Sequence, residues 1–197
     1  MNYTFLVDTY ATERLKVLTV WSMFRDEDLG VRPHADDVRG RSVLEHMVHQ
    51  CVSENLWFVT MLDIDVQAPP LPDAEMRRRF IERYAEDSGR RLAAISDRPA
   101  SWWEEDAPFF EVTRSRAWIM TRRIAHTAHH RGQQTAMLRM LGRDLHSTYG
   151  PTADTGGLMQ NKAPVVYAYS DLEALLAGGT MTPLPGPGDQ APTERPD

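Results

Sequence analysis

Residues 118–141, Trp-Ile-Met-Thr-Arg-Arg-Ile-Ala-His-Thr-Ala-His-His-Arg-Gly-Gln-Gln-Thr-Ala-Met-Leu-Arg-Met-Leu, constrain this chain more than any other stretch. Their spacing predicts one long helix, capped at its start by Thr113 or Ser115 and ended by Gly142 in a left-handed C′ position. At about 100° per residue, Ile119, His126, His130, Met137 and Leu141 fall within one sector of roughly 60°. That face carries the large apolar residues and should point into a core. His126 and His130 are one turn apart on it, so their imidazoles project side by side. Two adjacent histidines on a buried face need a reason, and metal ligation is the best one, because imidazole is the commonest metal ligand.

The rest of the chain reads as more helix. Leu6, Tyr10, Val17 and Trp21 recur at helical spacing within 3–25. A long polar loop, 26–40, follows, of the kind that often covers a site. Ser42-Val-Leu-Glu45 has capping-box form and opens a second helix to about Leu62. Prolines at 69, 70 and 72 make a turn into a third helix over 73–96, the most charged of the set. An aromatic connection, 97–114, should tuck Trp102, Trp103, Phe109 and Phe110 against the bundle end. After the fourth helix a glycine-rich loop occupies 143–157, and Ser170-Asp-Leu-Glu173 reads as a second capping box for a short helix to about Leu176. The expectation is an all-α four-helix bundle over 1–177, with a short extra C-terminal helix and a Pro/Gly-rich disordered tail over 178–197.

Length and charge narrow the function. A chain of 197 residues suffices for one domain with a sizeable core. With 28 acidic against 22 basic residues the net charge is −6, which disfavours nucleic acid as a partner. No apolar run is long enough to span a membrane, and the N-terminus lacks the basic and apolar segments of a signal peptide. With a single cysteine, Cys51, no internal disulfide can form, so the cytoplasm is the expected location. P-loop, dinucleotide-binding and nucleophile-elbow motifs are missing.

A metal held by His126 and His130 needs a further ligand from a facing helix. The second helix offers His46, His49 and Glu54, and the two histidines differ by about 60° in direction, so geometry leaves the choice between them open. The strings Arg41-Ser-Val-Leu-Glu-His-Met-Val-His49-Gln-Cys-Val-Ser-Glu54 and His126-Thr-Ala-His-His130-Arg-Gly-Gln together resemble the DinB/YfiT-like superfamily over about residues 1–145. The resemblance implies a four-helix bundle, commonly a homodimer, in which His49, His126 and His130 bind a divalent ion. It further implies a metal-dependent enzyme that transfers a low-molecular-weight thiol, such as bacillithiol or mycothiol, to an electrophile in stress or detoxification chemistry. A metal-dependent hydrolase and a non-catalytic metal- or ligand-binding stress protein are the alternatives. Zinc and nickel both suit imidazole.

Other residues have plainer readings. Glu45 either completes its capping box or holds a ligand's free N–H. His46 is a surface residue or supports the site, and Glu54 is polar packing or a carboxylate base. His129 sits about 60° off the ligand face, toward Trp118 and Met140, as a packed histidine. Cys51 reads as core, and Gly132 and Ala128 as points of close helix contact. Arg32, His34, Arg143, His146, Ser147, Thr148 and Tyr149 are positioned on loops that could edge a substrate cleft. Metal affinity should collapse as pH falls through about 6, where protons compete for free imidazole.

Overall fold

In a computed structural model, residues 2–74, 76–159 and 162–188 of the chain are described. The elements run α1 (Thr4–Met23), α2 (Val43–Met61), α3 (Arg77–Ser96), α4 (Ala100–Glu104), β1 (Asp106–Phe109), β2 (Val112–Ser115), α5 (Arg116–Met140) and α6 (Leu172–Leu176). The architecture is mostly helical, as expected. The capping box at α2 is formed: the Glu45 N–H donates to Ser42 Oγ at 3.2 Å and Ser42 N–H to Glu45 Oε2 at 2.8 Å. At the start of α5, Ser115 rather than Thr113 is the cap, accepting from Trp118 N–H at 3.3 Å. Gly142 ends the same helix with φ 64°, a conformation that favours glycine.

The long helices α1 and α2 each pack between α3 and α5, which places α1 opposite α2 and α3 opposite α5. Two apolar clusters fill the bundle. One gathers Val17, Leu18, Trp21, Phe24, Met47, Phe80, Tyr84, Met137 and Leu138. The other gathers Leu6, Tyr10, Trp57, Phe58, Ile95, Trp103, Ile119 and Met120. Between them lies a buried polar layer. Glu54 accepts from the hydroxyls of Tyr10 (2.7 Å) and Tyr84 (2.9 Å) and from Arg91 Nη1 (3.3 Å), with Arg123 Nε at 3.8 Å. The carboxylate is thus neutralised and hydrogen-bonded where no water reaches it, as a buried charge must be.

Some local expectations change. The connection 97–114 contains a short helix and a two-stranded antiparallel hairpin, with Phe109 opposite Val112 and Asp106 opposite Ser115. Trp103 is buried, but Phe110, at the hairpin turn with φ 53°, is 70% exposed rather than tucked in. Helix α3 starts at Arg77, later than the turn prolines suggest. The cap of α6 is Asp171, which accepts from Ala174 N–H at 2.8 Å, not Ser170. A Cβ on Gly132 would meet nothing within 4 Å, so that glycine serves no close helix contact. In the Pro/Gly-rich segment from Gly178 on, Thr182 N–H donates to the Ala168 carbonyl (2.8 Å) and Gly186 N–H to that of Asp154 (3.1 Å). Residues 189–197 lie outside the described residues.

Candidate metal centre

The long α5 and the capped α2 run side by side and bring their histidines together. One ring nitrogen from each of His49, His126 and His130 lies within 4.8 Å of the others, and this set is the converging group of metal-ligating side chains among the described residues. The imidazoles meet edge to face, with centroids 4.5 Å apart for His126 and His130 and 4.6 Å for His49 and His130. His126 Nε2 and His130 Nε2 are 3.1 Å apart. Two nitrogens bound about 2.05 Å from a tetrahedral ion would be separated by about 3.3 Å, so this pair is close to ligating geometry. The His46–His49 choice left open by helical phase falls to His49.

Neighbouring residues hold these rings. Gln133, one turn beyond His130, accepts from His130 Nδ1–H at 2.9 Å, which leaves the Nε2 lone pair free to ligate. Trp57 stacks on His126, centroids 5.6 Å apart at 13°, and is itself covered by the Arg123 guanidinium. Arg123 in turn donates to Thr127 and Ser53. Burial, followed by the charge of Arg123, lowers His126 to about 4, and burial alone dominates in lowering His130 to about 3. His49 is lowered too, by burial and then by Arg41 and Arg123. All three are therefore neutral near pH 7, the state a metal requires. Nδ1 of His126 is buried without a hydrogen-bond partner.

The remaining candidates separate clearly. His46 is buried, its ring 5.6 Å from that of His130, with its Nδ1 unpartnered. His129 is exposed, 5.1 Å from His130. Glu45 is taken by its capping box and by Arg32 Nη1 at 2.7 Å, and holds no histidine N–H. Glu54 is enclosed in the polar layer and is not a free base. Cys51 is buried, its thiol pushed up to about 12 by burial. The 143–157 loop is tied elsewhere: Arg143 to Asp28, Tyr149 to Glu13 and Arg131, His146 to the Thr182 carbonyl and Ser147 to Val166. Those bonds run to the residues that follow α1, to α1 itself, to Arg131 on α5 and to the C-terminal segment, and none is to His49, His126 or His130. His34 is exposed on the first loop. Sequence reasoning missed Gln133 and Trp57, although Gln133 lies at the i+3 position from a proposed ligand.

The DinB family model matches residues 3–161. The chain belongs to the DinB family. The fold agrees with solved DinB-like proteins. One from Bacillus cereus superposes with a TM-score of 0.65 at 15% identity, covering 73% of this chain and 95% of that one. Another, from Bacillus subtilis, has a TM-score of 0.57 at 12% identity, covering 71% and 94%. No curated protein matches the sequence. No helix among the described residues of this DinB-family chain is long and apolar enough to cross a membrane.

Proposed function

We propose that this DinB-family protein is a divalent-metal-dependent enzyme that transfers a low-molecular-weight thiol to an electrophile, with His49, His126 and His130 as the ligands. The convergence of three neutral imidazoles without a carboxylate or cysteine among them carries the reading. Protein nitrogens from three residues leave positions for exogenous molecules, the catalytic rather than the structural pattern. When bound, the ion supplies Lewis acidity that favours the thiolate form of an incoming thiol. Gln133 keeps a proton on His130 Nδ1 and so fixes which nitrogen ligates. Trp57 keeps His126 from rotating and excludes water from that flank.

The nucleophile must arrive from outside, because the only cysteine is buried and its thiol is held far above neutrality. The thiol proton passes to solvent, the sulfur lone pair forms a bond to the electrophilic carbon, and the leaving group departs with its electron pair. Hydrolysis is less well supported, since the nearby carboxylates Glu45 and Glu54 are each held by an arginine.

The test supplies zinc- or nickel-loaded protein with a thiol and monochlorobimane. Conjugation should require both metal and thiol and fall to background in His130→Ala. Ester cleavage without thiol would favour the hydrolase, and a fully metal-loaded protein inert in both assays would favour a binding protein.

A further inference from the structure

A cavity of 270 Å³ opens beside the triad, between the loop that precedes α2 and the C-terminal half of α5. Pro33, Arg41, His46, Gln133, Met137 and Met140 are among its lining residues. His46 and Gln133 both also touch His130, one ring to ring at 5.6 Å and the other through its 2.9 Å hydrogen bond. The cavity therefore ends against a proposed ligand.

Its arginines differ in how far they are engaged. Arg32 is spent on Glu45 and on the Gly40 carbonyl, and Arg39 on Asp37. Among the described residues nothing forms an ion pair or hydrogen bond with the side chain of Arg41. On the same cavity, His46 is 3% exposed and its Nδ1 has no hydrogen-bond partner. A buried polar atom left unpaired costs free energy that a ligand oxygen would recover. The exposed Arg41 guanidinium and the buried His46 ring line the same cavity, and with the proton on Nδ1 the pair would complement a carboxylate, in a protein whose overall charge of −6 would otherwise repel one. The opposite flank of the triad is aromatic, with Trp57 packed on Phe109 (5.4 Å) and Phe110 (6.1 Å). That flank suits an apolar electrophile, so the polar cosubstrate belongs in the cavity.

We propose that this cavity binds the carboxylate of the thiol cosubstrate, with Arg41 as its counter-ion and His46 Nδ1–H as its buried donor. The enzyme then selects a carboxylate-bearing thiol over a neutral sugar thiol. The assignment of the cosubstrate rests on the triad being the reaction centre.

Mercaptopropionate and mercaptopropanol, which differ only in carboxylate for hydroxymethyl, are titrated into the zinc-loaded full chain by calorimetry. Wild type should bind mercaptopropionate at least about tenfold more tightly. In Arg41→Gln the ratio should fall to about one, with zinc content and mercaptopropanol affinity unchanged. Equal affinities in wild type, or a preference that survives Arg41→Gln, would overturn the proposal. In the metal-free chain, propionate should shift the amide resonances of Arg41, His46 and Gln133 in wild type but not in Arg41→Gln, and absence of those shifts in wild type also overturns it. This arm needs no metal. Failure of wild type to take up zinc would therefore count against the triad reading alone.

Discussion

Of the three converging rings, His130 is held at two edges, one aimed at His126 and the other at a supporting residue. Gln133 supplies that support for His130. Replacing it with leucine should lower zinc affinity about 10- to 100-fold while leaving the fold intact, because such hydrogen bonds orient the ligand and raise its basicity. Competition against a chromophoric chelator measures this directly, and unchanged affinity would deny Gln133 its role. A second expectation concerns pH. Burial lowers His46 and His126 to about 4 and His130 to about 3, against about 6.5 for a histidine in an unfolded chain. The unfolded chain therefore takes up protons first as the solution is acidified. Stability of the metal-free protein should be fully present above about pH 6.5 and be lost progressively between there and about pH 3. Between about pH 7 and 5 the carboxylates remain ionised, so a fall of the urea midpoint in that window reports the histidines. A midpoint that is flat there in wild type would contradict the burial of these rings. The same lowering moves proton competition for the metal below the pH of about 6 expected for free imidazole.

Among the elements, α2 and α5 build the site, and Glu54 on α2 ties it to α1 and α3. Its partners Tyr10, Tyr84 and Arg91 come from those two helices. Glu54→Leu leaves Arg123 without a carboxylate beside it and Arg91 with Asp87 alone, at 3.8 Å, and should cost about 3–5 kcal/mol. Denaturation measures that cost, and a loss under about 1 kcal/mol would show the layer to be dispensable. The long helices were legible in the chain because their signals are local: apolar residues at helical spacing in α1 and α5, and a reciprocal cap at Ser42 and Glu45. The hairpin was not. Its strands are four residues each, β1 alternates in burial but contains Pro108, and β2 is largely exposed, so neither is long or regular enough to mark a strand in the sequence.

For the whole molecule, the three histidines that converge were legible in the sequence and their surroundings were not. His126 and His130 share a helix, and their spacing alone places them together. The preference for His49 over His46 depended on how two helices meet, which no single helix encodes. The same holds for Trp57 stacked on His126 and for Arg41 left unpaired beside the cavity. Nor could charge pattern show that the 143–157 loop is tied to Glu13 of α1 and Arg131 of α5 rather than to the histidines, since Tyr149 and Glu13 are far apart in the chain. The proposed function requires the three imidazoles to hold one divalent ion. Elemental mass spectrometry on tag-free protein, wild type beside His49→Ala and His130→Ala, tests it most directly. Wild type should carry near one equivalent of zinc or nickel and either variant almost none, with helicity unchanged. Wild-type protein that takes up neither metal after incubation, or variants that retain a full equivalent, would contradict it.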